Sequence, residues 1–211
     1  EQDRITEGVG KTIKQLKVVA SNKGFSLFLI AVAMINIPFM AYVAVASYVY
    51  IDFFGLDAQL YGICFSIAAL GGILGPLIYL RLSKHILVRP LTYFFIGAGI
   101  LTGALTILIG SFSPIVFCLM FVLMGLIEAA LRPYTTNILL SQNEKDTGSA
   151  SSLINFTHTA LGCIGMAAIT LFSQNYIFGI GILSIISMAT ALAILLGLTK
   201  SSIKIKYFNA P

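Results

Sequence analysis

Long apolar runs separated by short polar breaks dominate the pattern of this 211-residue chain. Six of the runs are long enough to cross a hydrocarbon core of ~30 Å, which takes about 20 residues of α-helix. Turn-forming residues fill the breaks, as in "GSFSP" and "SQNEKDTGS". The pattern predicts an all-α polytopic membrane protein with six transmembrane helices at residues 25–51, 57–82, 90–110, 114–140, 148–173 and 176–198.

The composition also indicates a membrane protein. Hydrophobic residues make up 58% of the chain and charged residues only 10%, whereas about a quarter of a soluble domain is charged. The three cysteines, Cys64, Cys118 and Cys163, are widely spaced inside apolar runs and lack the spacing of a metal or redox site. We therefore expect the lipid bilayer as a partner, and we expect no metal and no cofactor.

Positive charge is confined to alternate breaks. All 13 Lys and Arg residues lie before the first span, after the second, at or after the end of the fourth, or in the tail. The positive-inside rule then predicts that both termini are cytoplasmic. Residues 1–24 are predicted to form a cytoplasmic linker, 25–198 a six-helix bundle and 199–211 a cytoplasmic tail. The net charge of +5 follows from this topology, so no nucleic-acid partner is expected.

The six spans divide into two three-helix repeats, each with an irregular first helix. Asn36 and Pro38 lie near the middle of the first span, and Pro133 lies in the fourth. Because proline removes a backbone donor, helix breaks are predicted at both prolines. Interrupted segments at matching places in two repeats are the best sequence indication of a transporter's central site. The third and sixth spans, rich in small residues, are predicted to be peripheral packing and lipid-facing elements.

The stretch "GLIEAALRPYTTNILL" places two charges inside an apolar span. Glu128 and Arg132 are four residues apart, the favourable order for an ion pair on a helix. Arg132 lies near enough to the cytoplasmic headgroups to reach them by snorkelling, whereas Glu128 lies deeper. Two interpretations stay open for Glu128: it belongs to a structural or gating ion pair with Arg132, or it binds substrate or protons.

Four further polar residues are candidates for the substrate or proton pathway. His158, near the midplane, either relays protons or only hydrogen-bonds a neighbouring helix. Asn155, three residues earlier on the same helix, is predicted to share a cavity with His158. Asn36 and Tyr42 in the first span either line that cavity or bridge helices. The tyrosines nearer the outer boundary fit an interfacial aromatic belt: Tyr48 and Tyr50.

Several stretches resemble the major facilitator superfamily. "GGILGPLIYLRLSKHI" resembles its loop signature between the second and third helices of a half. "GLIEAALRPYTTNILLSQNEKDTGSASSLINFTHTALGCIG" resembles the helix-ten to helix-eleven region of the Bcr/CflA drug-resistance branch, and "FGLDAQLYGICFSIAALG" the passage into its eighth helix. The resemblance implies the last six helices of a twelve-helix transporter. We therefore expect a piece of a longer protein, whose partner is the missing N-terminal half or a second copy.

The resemblance also implies a function. The chain would be part of a secondary active transporter in a bacterial inner membrane, exporting small apolar or cationic drugs in exchange for protons by alternating access. Such an antiporter would contribute to multidrug efflux and antibiotic resistance. Two alternatives remain: transport of another small solute (a siderophore, an amino-acid derivative or a nutrient), and a non-transporting membrane scaffold. The G-x-S-G motif of an intramembrane protease is absent from the sequence, so we expect no enzymatic activity.

Overall fold

The structure is a bundle of helices. It is a computed structural model that describes residues 9–144, 146–201, 205 and 208, and these ranges contain no strand. Residues 1–8 of the predicted linker, Lys145 and most of the predicted tail lie outside them. The elements are α1 (Val9–Ala20), α2 (Lys23–Ala33), α3 (Asn36–Ser47), a π-helix (Tyr48–Phe53), α4 (Ala58–Leu82), α5 (Val88–Ile109), α6 (Pro114–Ser141), α7 (Thr147–Ile169), a 3-10 turn (Thr170–Phe172) and α8 (Tyr176–Lys200).

The six predicted spans are confirmed. Among the described residues, six helical segments are long and apolar enough to cross a membrane, and each end lies within two residues of its predicted place. We number these segments as spans 1 to 6 in chain order: Lys23–Phe53, Ala58–Leu82, Val88–Ile109, Pro114–Ser141, Thr147–Phe172 and Tyr176–Lys200.

Side-chain caps explain where the spans begin. The carboxylate of Asp57 accepts a hydrogen bond from the Leu60 amide at 2.7 Å at the start of α4. Asp146 does the same for α7, and Asn175 for α8. Ser113 caps α6 just before Pro114. These are residue types that accept hydrogen bonds from the free amides of a first helical turn, so the polar breaks of the sequence define the helix starts.

Span 1 is interrupted in its middle. Helix α2 ends at Ala33, a turn follows at Met34 and Ile35, and α3 begins at Asn36. Pro38 has no N–H to donate to the carbonyl of Met34, four residues earlier. That carbonyl instead accepts from the amide of Ile37 at 3.1 Å. The tightened turn fixes the position at which Asn36 enters the bundle.

Span 4 behaves differently. Helix α6 is continuous from Pro114 to Ser141 and passes through Pro133. The predicted break at Pro133 is therefore wrong. One missing hydrogen bond does not end a helix of 28 residues that packs along a neighbouring helix. The residues around Pro133 therefore keep their helical spacing.

The largest helix interfaces have the pattern of two related repeats. Span 2 packs on span 4, span 1 on span 5, and span 3 on span 6. If spans 1, 2 and 3 are exchanged with spans 4, 5 and 6 respectively, the interface of spans 2 and 4 becomes that of spans 5 and 1. The interface of spans 3 and 6 stays the same. The tertiary contacts thus agree with the two predicted three-helix repeats.

Spans 2 and 5 present the most open surface. Only 22% of the most apolar stretch of span 2 and 28% of that of span 5 is buried. Spans 3 and 6, the predicted peripheral elements, bury more because small residues let them approach closely. The Ser184 hydroxyl donates to the backbone carbonyl of Gly99 across this contact at 3.2 Å. The most exposed faces of the bundle therefore belong mainly to α4 and α7.

The two ends of the bundle differ in charge. One end, which we call the acidic end, holds the π-helix and the loops 54–57, 110–113 and 173–175. Among the described residues, its charged members are Asp52 and Asp57 alone. The opposite, basic end holds the loops 83–87 and 142–146 and the end of α8. Its described cations are Lys14, Lys17, Lys23, Arg81, Lys84, Arg89 and Lys200.

Candidate functional site

Helix α6 carries an ion pair whose acidic partner is nearly buried. A guanidinium nitrogen of Arg132 lies 3.4 Å from Oε1 of Glu128, one helical turn away. The two partners differ in exposure, since the Glu128 side chain is 11% exposed and that of Arg132 48%. The pair is therefore long and asymmetric: the carboxylate is held inside the protein, and the guanidinium reaches outward.

Asn36 connects span 1 to span 5 beside this pair. Its amide Nδ2 donates to the backbone carbonyl of His158 at 2.9 Å, and both residues are buried. Gly162, one turn further along α7, permits the contact because a Cβ there would lie 3.0 Å from the same Nδ2. The turn at Met34 and Ile35 in span 1 and a glycine in span 5 thus combine to bring Asn36 against α7.

His158 has unsatisfied hydrogen-bonding capacity. Both nitrogens of its imidazole ring are buried and lack a hydrogen-bond partner among the described residues, and the same is true of Oδ1 of Asn36. Buried polar atoms of this kind are uncommon and call for a water, ion or ligand as partner. These atoms are chemically able to take part in a proton path through bridging water.

These residues surround one small cleft between spans 1, 4 and 5. Its volume of about 10 Å³ is close to the minimum that holds one water molecule. The cleft is suited to protons and water and is far too small for a drug-sized ligand. The lining residues are Val32, Ile35, Asn36, Glu128, Leu131, Arg132, Thr135 and His158.

Thr135 is a member of the cleft that was not identified from the sequence. Its hydroxyl donates to the carbonyl of Leu131 at 2.9 Å and lies 3.2 Å from that of Arg132. A signal existed, since Thr135 lies seven residues after Glu128 and three after Arg132 and so shares their helix face. The sequence predicts a helix break at Pro133, and such a break would disrupt this face. Thr135 was therefore not assigned to it.

Tyr42 lies away from the cleft, at the acidic end. It is buried in an aromatic cluster, where it stacks on Phe121 and Phe65 and meets Tyr50 edge to face. Tyr50 is fully buried, so its assignment to an interfacial belt is wrong, whereas Tyr48 is exposed and is compatible with one. The hydrophobic surface of these rings closes the space between spans 1, 2 and 4.

Asn155 is separated from His158 although only three residues lie between them along α7. His158 is buried and Asn155 is exposed, so they do not share the cleft. Asn155 belongs instead to an exposed stripe at helical spacing, which we call the polar stripe of α7. Its exposed members are Ser151, Ser152, Asn155, Thr159 and Cys163.

A prediction follows for Asn36. Replacing Asn36 by Ala removes the buried hydrogen bond between spans 1 and 5, so the free energy of unfolding should fall by about 1–2 kcal/mol. The measurement is thermal unfolding of the full-length protein in detergent, followed by circular dichroism. Asn155 is an exposed asparagine on α7, the helix that Asn36 contacts. Asn155→Ala should change the free energy of unfolding by less than about 0.5 kcal/mol. Equal losses in the two variants would contradict the role given to Asn36.

The fold and the cleft define an all-α multi-pass membrane protein with an ionic site between its helices. Among the described residues, no three His, Cys, Asp or Glu side chains are grouped so that they could hold a metal ion. The family model of the Major Facilitator Superfamily matches residues 1–167, well over half of the chain. The chain therefore belongs to this superfamily of membrane transporters. A search of curated proteins gave no match.

Proposed function

We propose that this chain is part of a proton-coupled exporter of small apolar or cationic compounds that works by alternating access. The observation that carries the proposal is the Glu128–Arg132 pair, in which a nearly buried carboxylate faces an outward-reaching guanidinium at 3.4 Å. Ionisable side chains inside a membrane span are expensive and mark ion or substrate paths. Glu128 is the one acidic residue placed in the interior of a span.

Proton exchange at Glu128 would change the charge of the cleft and the strength of the ion pair with Arg132. As a carboxylate, Glu128 holds Arg132; as a carboxylic acid, it can hold Arg132 only weakly, and the guanidinium is free to move outward. Asn36 and His158 supply hydrogen-bonding atoms beside this switch. The protonation state would then bias two arrangements of the bundle, which is the physical requirement for coupling a proton to a conformational change.

The cargo would bind outside the cleft, at a wall shared with a second six-helix unit. The cleft is too small for a drug, and the polar stripe of α7 is unsuited to lipid. We propose that α4 and α7, the least buried spans, face the missing N-terminal half or a second copy across a water-accessible cavity. Asn155 would contribute to that cavity wall, and Tyr42 would support it from behind.

The proposed orientation places the basic end in the cytoplasm. Every described Lys and Arg outside Arg132 lies at that end, and the acidic end has none. The positive-inside rule supports this orientation, with both termini cytoplasmic. The proposed setting is a bacterial inner membrane and the proposed relatives are the Bcr/CflA exporters, in which such activity would appear as antibiotic resistance.

A liposome assay tests the function. The full-length protein containing this chain, reconstituted into liposomes with an acidic lumen, should accumulate a labelled hydrophobic cation as protons leave. Addition of a protonophore should abolish the accumulation, and protein-free liposomes give the background. Accumulation that is indifferent to the pH gradient would exclude proton coupling. Uptake of a siderophore, an amino-acid derivative or a nutrient instead of the cation would favour the alternative cargo.

A further inference from the structure

A second site lies at the acidic end, distant from the Glu128 cleft. The last turn of span 1 and the loop between spans 5 and 6 line an open pocket of about 260 Å³. This volume lies just below the range typical of drug sites, so it suits a small organic molecule. The pocket is lined by Tyr48, Val49, Asp52, Phe53, Ser173, Gln174, Asn175, Tyr176 and Ile177.

The lining combines one negative charge with aromatic side chains. Asp52 supplies a carboxylate, and the rings of Tyr48 and Tyr176 lie with their centroids 6.0 Å apart, tilted by 43°. Tyrosine faces attract organic cations through their ring quadrupoles, and aromatic groups of this kind recognise quaternary ammonium ligands. A carboxylate beside two such rings is the chemistry of an ammonium site.

Asp52 has no cation of its own to neutralise it. No Lys or Arg occurs between residues 24 and 80 or between 90 and 131, and none lies at the acidic end. Among the described residues, no hydrogen bond or ion pair of the Asp52 side chain is found. The other acid at this end, Asp57, is committed to capping α4 through the Leu60 amide. Asp52 is therefore the carboxylate available to an external cation.

The local backbone is irregular where the pocket forms. Tyr48–Phe53 is a π-helix, with the Phe54 amide bonding back to the carbonyl of Val49. π-Helical turns are rare in proteins and occur frequently at functional sites; this one forms the end of span 1. Tyr48 and Asp52 both belong to this π-helix, and both line the pocket. In the loop before α8, the Asn175 side chain already accepts a hydrogen bond from the first-turn amide of Phe178 at 2.9 Å, which fixes the start of α8 next to Tyr176.

We infer that the pocket between the π-helix of span 1 and the start of α8 binds a small organic ammonium cation, held by Asp52 and the rings of Tyr48 and Tyr176. The site is separate from the Glu128 cleft, and its occupation does not depend on the proposed transport function. A cation of choline size fits the volume. An anion is disfavoured by Asp52, and a neutral apolar molecule gains nothing from the carboxylate.

Ligand binding can be measured directly. The full-length protein is placed in maltoside micelles, which contain no ammonium groups, at low ionic strength, and choline binding is followed by saturation-transfer NMR of its N-methyl signal. The neutral isostere 3,3-dimethylbutan-1-ol is titrated in parallel. Choline should bind at least about fivefold more tightly than the isostere, because only the cation interacts with the carboxylate and the ring faces. Equal affinities would overturn the inference, since they would show a merely apolar pocket.

Matched variants locate the site. Asp52→Asn should weaken choline binding at least about fivefold, whereas Asp57→Asn, which removes the same charge at the same end and keeps a capping residue, should leave it within about twofold. Tyr176→Phe should retain binding and Tyr176→Leu should lose it, because the ring face is the interacting group. Equal weakening by both aspartate variants would indicate only a diffuse negative surface and would overturn the assignment of the pocket.

Discussion

Replacing Glu128 by Gln should reduce proton-driven transport by the full-length protein at least about tenfold, which corresponds to roughly 1.4 kcal/mol or more. Glutamine keeps the size and hydrogen-bonding shape of the side chain but can neither carry a proton nor hold Arg132 as a carboxylate does. Transport is measured as accumulation of a labelled hydrophobic cation in acid-lumen liposomes. Wild-type rates in this variant would exclude a role of Glu128 in coupling.

The control for this experiment is Asp146→Asn. Asp146 lies outside the cleft and caps α7 through the Ser149 amide at 3.0 Å, and asparagine preserves such a cap. This variant loses the same charge without touching the proposed proton site. It should transport at close to the wild-type rate. Asn36→Ala, which removes a supporting hydrogen bond and no ionisable group, should reduce transport less than Glu128→Gln.

A double variant separates the two interpretations of Glu128. In Glu128→Gln the guanidinium of Arg132 loses its partner, so both stability and transport are affected. Replacing Arg132 by Gln as well removes that unpaired charge and should restore thermal stability. If the pair were only structural, transport would return with stability. If Glu128 carries the proton, the double variant stays stable and inactive, which is the result we expect.

The second large effect is expected at Gly71. A Cβ at this position would overlap with the backbone carbonyl oxygen of Val122 and lie 2.9 Å from the backbone nitrogen of Leu126 on α6. Backbone atoms cannot rotate aside as a flexible side chain can, so Gly71→Ala must push α4 away from α6. Overpacking of a tight contact typically costs about 1–3 kcal/mol. The variant should therefore unfold at a clearly lower temperature than the wild type.

The adjacent glycine provides the comparison. A Cβ at Gly72 meets nothing within 4 Å, and Gly72→Ala gains the same helix propensity of about 1 kcal/mol as Gly71→Ala. The difference between the two melting temperatures thus isolates the contact between α4 and α6. If the two variants have the same stability, the close packing of span 2 on span 4 is wrong.

The order and length of the spans were determined by the sequence itself. A run of about 20 apolar residues crosses the membrane whatever its neighbours are, and capping residues such as Asp57 and Ser113 act on the helix that follows them. The proximity of Glu128 to Arg132 is equally local, because four residues along a helix make one turn. These features depend on short stretches of chain, so they can be predicted without knowledge of packing.

Only the tertiary structure decided which side chains are buried and which are exposed. Asn36 and His158 are 122 residues apart, and no local rule brings them together. They meet because of the turn before Asn36 and because Gly162 has no side chain. The same packing separates Asn155 from His158 and buries Tyr42 and Tyr50 in the aromatic cluster. At Pro133 the contact with α4 keeps the helix continuous where the local rule predicts a break. Helix periodicity determines which residues share a face of one helix. Only contacts with other helices determine which of its faces lies inside the protein.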